Sequence, residues 1–326
     1  MSKDKKITNT PVSGSAAKIR DFCSKRKMII IITVCVLAAT ILGVIIRGVN
    51  IAIEFKGGTL ITYTYSGDID LGKAEETVKS VVDTSVTVRS GERLDSDDKE
   101  LTISFTSNSG LTADRQTELS AALLEAFPDN NLTLFDSNDV NPSTGTEFFL
   151  KCVVAVLFAA VIIIIYIAVR FRKIGGLSAG FCSILALLHD LVVAFGASVI
   201  LGFEFNSNMV AVILTILGYS INNTIVIYDR IRENRQLMPK ASINELINAG
   251  CSQSLTRSIR TSITTIGTML VITIVVMVSG YDSLLSFSVP LMFGLISGTY
   301  SSLFVAPVTW SWIVERKAAK GKKSNK

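Results

Sequence analysis

Residues 28–46 form a run of nineteen without a single charge. As a helix rising 1.5 Å per residue, the run is long enough to cross the hydrocarbon layer of a membrane. Five more apolar runs follow at 148–169, 177–201, 209–228, about 259–278 and 284–312, the last with polar ends. Backbone groups in hydrocarbon find no water, so each run has to close its own hydrogen bonds as a helix. Six such segments make the chain a membrane bundle, and its 49% of hydrophobic residues sits in these blocks instead of being spread through a soluble core.

Cations sort the connecting segments. Lys18, Arg20, Lys25, Arg26 and Lys27 precede the first run, Arg170, Arg172 and Lys173 close the second, 230–240 follows the fourth, and 316–326 is a basic tail. The positive-inside rule places all of these in the cytoplasm, together with both termini, and leaves the loops 202–208 and 280–283 outside. Residues 47–50 supply no small-residue cleavage site, so the first run reads as a retained anchor and not as a signal peptide. The expected organisation has a cytoplasmic tail at 1–27, flexible over 1–17, and a first span at 28–46. An extracytoplasmic domain at 47–147 follows, then spans two to six within 148–312, with a cytoplasmic loop at 229–258 and a basic tail at 313–326. Within the loop, Ser242 and Glu245 make a capping box, and Leu246 and Ile247 suggest a separate amphipathic helix on the inner interface.

Residues 48–146 hold seven Lys/Arg and seventeen Asp/Glu, a net charge of −10 inside a chain of net +5. The positive charge therefore lies beside the spans and not on a folded basic face, which argues against nucleic acid as a partner. Alternation marks a strand at 60–65 after the Gly57-Gly58 break, and Leu71, Ala74, Val78, Val81 and Val82 mark a helix capped by Asp70. Strands at 85–89 and 101–105 flank a polar turn at 91–99. A second helix, capped by Thr112, carries Leu119, Ala122, Leu123, Ala126 and Phe127, and a fourth strand spans 132–135. The order β-α-β-β-α-β is that of an inserted α+β ferredoxin-like domain. None of the five cysteines lies in this domain and no pair has C-x-x-C spacing, so neither disulfide nor metal site is expected, and no motif calls for a cofactor.

Polar residues inside the spans carry the functional signal. On the fourth span Thr215, Tyr219, Asn222, Asn223 and Val226 share one side, and such a stripe has to meet another helix, water or a moving ion. Helix-to-helix bonding alone is the other reading. Asp190 stands near the middle of the third span beside His189, the single histidine, with Ser183, Ala186, Leu187 and Ala194 on its side. A charge there costs about 2.5–3.5 kcal/mol even on insertion scales, so Asp190 is either protonated or paired. Arg257 heads a face of the fifth span lined by Thr261, Thr264 and Thr268, where it either enters the bundle or snorkels to lipid phosphate, as Arg260 does. Gly294, Ser297, Gly298, Ser301 and Ser302 mark a close-packed face of the last span. His189 and Asp190 have no matching nucleophile and the chain lacks a G-x-x-x-x-G-K-[ST] loop, so no enzyme is expected.

Four segments together resemble, in the same order, the signature segments of the SecF family of protein-translocase subunits, within the SecD/SecF group of the resistance-nodulation-division superfamily. They are Phe55-Lys-Gly-Gly58, Leu187-Leu-His-Asp-Leu191, LGYSINNTIVIYDRIREN from Leu217 to Asn234, and Gln253-Ser-Leu-Thr-Arg257. The resemblance runs from the first span to the last. It implies an all-α six-span half of such a transporter, completed by SecD. It further implies work beside the SecYEG channel and SecA, with YajC and YidC as further contacts, in which the proton gradient helps draw unfolded secretory chains across the bacterial plasma membrane. The family motifs fall on Glu54, Phe55, Gly57, Gly58, Asp229 and Arg230, with Glu54 replacing the usual aspartate. The family's proton-linked pair matches Asn223 and Arg257, with His189, Tyr219, Asn222, Thr261 and Thr264 as polar company inside the bundle. Aspartate usually stands where this chain has Asn223, and an amide carries no exchangeable charge. Three readings stay open: Asp190 substitutes, the SecD partner supplies the acid, or the subunit is a non-conducting scaffold. Half of a small-molecule or lipid exporter is the reading from another class.

Overall fold

The computed structural model describes residues 19–82, 84, 86–92, 99–106, 112–172, 175–279 and 282–324. The flexible stretch expected at 1–17, the middle of the turn at 91–99, Lys173, the loop start at 280–281 and the last two residues lie outside them. Six helices are long and apolar enough to span a membrane. They are α1 (Arg26–Arg47), α5 (Pro142–Arg170), α6 (Gly176–Ile200), α7 (Ser207–Leu237), α8 (Ile243–Val278), and a last span made of α9 (Asp282–Tyr300), a wide π turn (Ser301–Val305) and α10 (Ala306–Ser324). Side-chain size and polarity set their places. The most apolar windows of α1 and α5 are only 6% buried, against 67% for the last span, so the first two present Ile, Leu and Val outward while α6, α7 and α9 pack on one another at the centre.

One expectation is overturned at the α8 end. The capping box is present, with Ser242 accepting from the Glu245 N–H and Glu245 from the Ser242 N–H, but the helix it opens does not stop at an interface. It continues as α8 into the fifth span. Nothing between Ile243 and Val278 breaks a helix, and Leu246, Ile247 and Cys251 are buried in the bundle's own core, so the amphipathic turn packs on protein instead of lipid. Residues just before α1 are tied to this turn, the backbone N–H groups of Phe22 and Cys23 donating to Asn248 Oδ1 at 2.9 and 3.1 Å, while Arg26 at the start of α1 pairs with Glu315 of α10 at 2.6 Å. The Ser24 N–H, donating to Asp21 Oδ1, holds that carboxyl below its ordinary value.

Between α1 and α5 lie the short α2 (Ile53–Lys56), β1 (Gly58–Tyr65), α3 (Leu71–Val82), β2 (Val86–Glu92), β3 (Lys99–Phe105), α4 (Ala113–Ala126) and β4 (Thr133–Val140). All three strand pairings are antiparallel, in the order β2-β3-β1-β4. Alternation along β1 and β3 turns Ile61, Tyr63, Leu101 and Ile103 to one face, where they meet Ala74 and Val78 of α3 and Leu119 and Leu123 of α4 in a closed core. Asp70 Oδ1 accepts from the Gly72 N–H and the Thr112 hydroxyl from the Arg115 N–H, which starts the two helices.

The joint between this domain and the bundle is built from the Glu54-Phe55-Lys56-Gly57-Gly58 segment. Gly57 has φ 82°, and a Cβ there would lie 2.5 Å from the Pro142 Cα at the start of α5. Phe55 is buried against Phe148, Phe149 and Phe205, with ring centroids 5.5–5.6 Å apart. Backbone bonds from Ala52 N–H to the Phe205 carbonyl (3.0 Å) and from Phe205 N–H to the Asn50 carbonyl (2.7 Å) close the joint onto the loop before α7. Gly57→Ala combines backbone strain of about 1–3 kcal/mol with a clash against α5. We expect it to lower Tm in detergent and to open the joint to protease, whereas an unchanged melt and cleavage pattern contradicts this account of the joint.

Candidate functional site

Asp190 is fully buried at the centre of the bundle, where α6 meets α7 and α9. Three serine hydroxyls donate to its carboxylate: Ser220 of α7 to Oδ2 at 2.7 Å, Ser301 to Oδ2 at 2.6 Å and Ser297 to Oδ1 at 2.6 Å. All three lie in the short part of the O–H···O range. Ser297 and Ser301 lie one turn apart, and Ser301 opens the π turn, a kind of local widening that recurs at functional positions. Small residues let the helices approach: a Cβ at Gly298 would lie 3.2 Å from the Ser220 Cβ and 3.5 Å from the Asp190 Oδ2. The hydroxyl network continues, with Thr224 donating to Ser302 at 3.0 Å and Ser302 to the Ser220 carbonyl at 3.1 Å.

His189 completes the cluster. Its Nδ1 is 3.2 Å from both Asp190 Oδ1 and Ser297 Oγ, while its Nε2 is buried with no partner among the described residues. A proton on Nδ1 satisfies the acceptors, and a bare Nε2 then avoids an orphaned N–H donor, so we assign that tautomer. The ring lies against Tyr300, whose hydroxyl donates to the Ile29 carbonyl of α1.

The stripe on α7 divides. Asn223 turns inward and is 6% exposed, but Asn222 and Thr215 are exposed on the outer surface of the chain and Tyr219 is half-buried. On α8, Arg257, Thr261, Thr264 and Thr268 are exposed on the surface too. The expectation that Asn222, Thr261 and Thr264 face the bundle interior is therefore corrected. A helical period shows that polar residues share a side, but not which side the neighbouring helices occupy. The threonines satisfy themselves, with Thr264 donating to the Thr261 carbonyl at 2.8 Å and Thr268 to that of Thr264 at 3.0 Å. Asn222 and Arg257 make no such bond to any described residue.

Asp190, Asn223 and Arg257, expected to converge at one contact within the bundle, do not meet. All the side-chain bonds of Asp190 go to serines and His189. Tyr219 donates to Ser262 at 3.2 Å and Ile231 packs at Gly250, which levels Asn223 with Ser258 along the antiparallel α7–α8 seam. The Asn223 Nδ2 and the Ser258 Oγ are both buried, without a partner among the described residues. Arg257 instead lines a cavity of about 610 Å³, together with Ile225, Val226, Asp229, Arg230 and Gln253. At this end, remote from the sheet domain, the charged segment locks helices together. Asp229 pairs with Arg170 of α5 and with Arg232 at 3.0 Å each, and Arg230 and Asn234 donate to Gln253 of α8 at 2.7 and 2.9 Å. Glu54 and Phe55, with Gly57 and Gly58, lie at the opposite end, in the joint.

Ser220, Ser297 and Ser301 are the site residues that sequence reasoning missed. The only signal was the alignment of small residues on the last span, which packing alone also produces.

A multi-pass membrane protein with a polar centre around one carboxylate, and with a small α+β domain between its first two spans, is the class that this geometry defines. Residues 120–316 match the family model described as protein export membrane protein SecD/SecF, C-terminal. The chain is 31% identical over 289 residues to the protein translocase subunit SecF of Calditerrivibrio nitroreducens, covering 88% of this chain and 91% of that one. It is 34% identical over 300 residues to that of Alicyclobacillus acidocaldarius (88% and 92%) and 33% identical over 274 residues to that of Pseudomonas aeruginosa (82% of each). Among solved structures it resembles SecDF from Thermus thermophilus, a translocon-associated membrane protein, with TM-score 0.75, 28% identity and 92% of this chain covered. SecDF in its super-membrane-facing form gives TM-score 0.67 at 28% identity over 97% of this chain. The chain spans 39% and 41% of the length of those two SecDF chains. The chain belongs to the SecD/SecF family of protein export membrane proteins.

Each serine bond to a buried carboxylate contributes about 1.5–3 kcal/mol. Ser301→Ala is expected to lower unfolding stability in detergent by that amount, and most of the loss should vanish in an Asp190→Ala background, which offers no acceptor. Equal losses in both backgrounds contradict the bond.

Proposed function

We propose that this chain is the SecF-type subunit of a protein-export translocase, and that Asp190 is the group through which a proton gradient acts on it. The observation that carries this reading is the buried carboxylate tied to α7 by Ser220 and to the last span by Ser297 and Ser301. Protonation turns an acceptor oxygen into a donor, so at least one serine has to let go or turn, and the three helices lose a shared anchor. Asn223 cannot take a proton in this way, so in this reading the exchange falls to the Asp190 carboxyl, with His189 beside it. The site thus biases a two-state bundle and does no bond-breaking chemistry.

The partner face follows from the same helices. Asn222 in mid-span and Arg257 have no side-chain bonds to any described residue of this chain, and a lipid-facing amide costs about 1–3 kcal/mol, so the exposed α7–α8 face is where SecD docks. In this reading both termini and the Arg257 cavity are cytoplasmic, and the sheet domain is a ferredoxin-like extracytoplasmic unit in the plasma membrane's outer space that meets the unfolded secretory chain. SecYEG with SecA, and YajC and YidC, are the neighbours of the assembled pair. A non-conducting scaffold is the second reading, favoured by the complete burial of Asp190 and by the amide at 223.

Vesicles that carry the assembled complex separate the two. With Asp190→Asn, export is expected to fall to its rate without a gradient while SecD still co-purifies. Gradient-stimulated export at the wild-type rate contradicts the coupled reading and leaves the scaffold.

A further inference from the structure

The motif at the joint has work left over once packing is accounted for. Phe55 fills the aromatic cluster and Gly57 allows the approach to α5, but Glu54 is exposed and fills no core position. Its Oε2 accepts the backbone N–H of Ser207, the first residue of α7, at 2.9 Å. The helix already has its own cap in Asn206, whose side chain accepts from the Met209 N–H at 3.2 Å. Glu54 therefore adds a carboxylate at the positive end of the α7 dipole and satisfies a second N–H that the helix leaves open. Four residues later the same segment becomes β1, the strand that pairs with both β3 and β4.

We propose that Glu54 is a positioning residue that makes the start of α7 and the sheet domain move as one. The inference rests on the reading of Asp190 as the responsive group. Ser220 ties Asp190 to α7, so any reorganisation at the carboxylate displaces a helix whose other end is held by Glu54. The segment also lies close against α5, since a Cβ at Gly145 would be 3.1 Å from the Glu54 carbonyl oxygen. The ends of α7 and α9 are joined as well, by Asn206 and Asn208 donating to Ser286 at 3.4 and 3.0 Å. Other contacts join the domain and its linker to the loop before α7 but not to the helix itself: the backbone bonds of Phe205 with Ala52 and Asn50, the Phe55–Phe205 ring pair, and Arg89 of β2 with Glu204 at 3.3 Å.

Hydrogen exchange of the full chain with its partner subunit in lipid nanodiscs tests this link. Glu54→Ala is expected to raise exchange at 207–209 by up to about fivefold, the equivalent of a lost helix-end carboxylate. Asp190→Asn should alter exchange over 204–212 and over 50–60 together. Adding Glu54→Ala should keep the first change and remove most of the second, whereas Glu54→Gln, which still offers an acceptor oxygen, and Arg89→Ala should both retain it. A change at 50–60 that survives Glu54→Ala at full size, or that Arg89→Ala abolishes instead, overturns the link and leaves the Asp190 reading standing. If Asp190→Asn alters neither segment, the reading of Asp190 fails and the link fails with it.

Discussion

A carboxylate in the middle of a membrane bundle has no water to turn to, and the arrangement of α6, α7 and the last span follows from satisfying Asp190. Its bonds reach residues 30, 107 and 111 positions away, so the three helices that hold it are fixed in both register and separation. Lipid gives helices little hydrophobic reason to associate, which leaves close packing and interhelical hydrogen bonds as the cohesive terms. Gly298 and the serines supply both at one place. The peripheral α1 and α5 have no such centre: both pack along α6, with Thr40 of α1 close against Gly196, and their ends are tied at Glu315, at Asp229 and in the aromatic joint.

The same economy explains the two ends of the bundle. Away from the sheet domain, Asp229, Arg230 and Asn234 tie α5, α7 and α8 through ion pairs and Gln253, so the charged close of the fourth span is a clamp between helices. Beside the domain, Phe55 and Gly57 hold the linker against α5 while Glu54 reaches α7. The helix that carries Ser220 is thus gripped at both ends and in the middle.

Much of this was legible from residue order alone. Uncharged runs located the spans because backbone bonding in hydrocarbon permits little else, and strict alternation located β1 and β3 because one face of the sheet is covered. Asp190 stood out because its desolvation demands a partner. The partner's identity was not legible: a serine on a helix reads equally as a small packing residue or as a donor, and the three donors lie on two other elements. The π turn leaves no local pattern in Ser301–Val305. Asn222 and Asn223, a hundred degrees apart on α7, looked like one polar stripe until the neighbouring helices decided which of them faced in. The turn at Ser242 looked separate from the fifth span because polarity was read as exposure, whereas Leu246 and Ile247 are covered by the bundle itself.

Central to the account is a carboxylate at Asp190 that accepts hydrogen bonds from serines on two other helical elements. Infrared difference spectra of the protein in lipid, with the Asp190 bands assigned by subtraction of Asp190→Asn, read this directly. The account predicts a carboxylate stretch that shifts in Ser220→Ala and again in Ser301→Ala. A band that neither substitution moves, or an acid carbonyl band typical of an isolated protonated side chain, would contradict it.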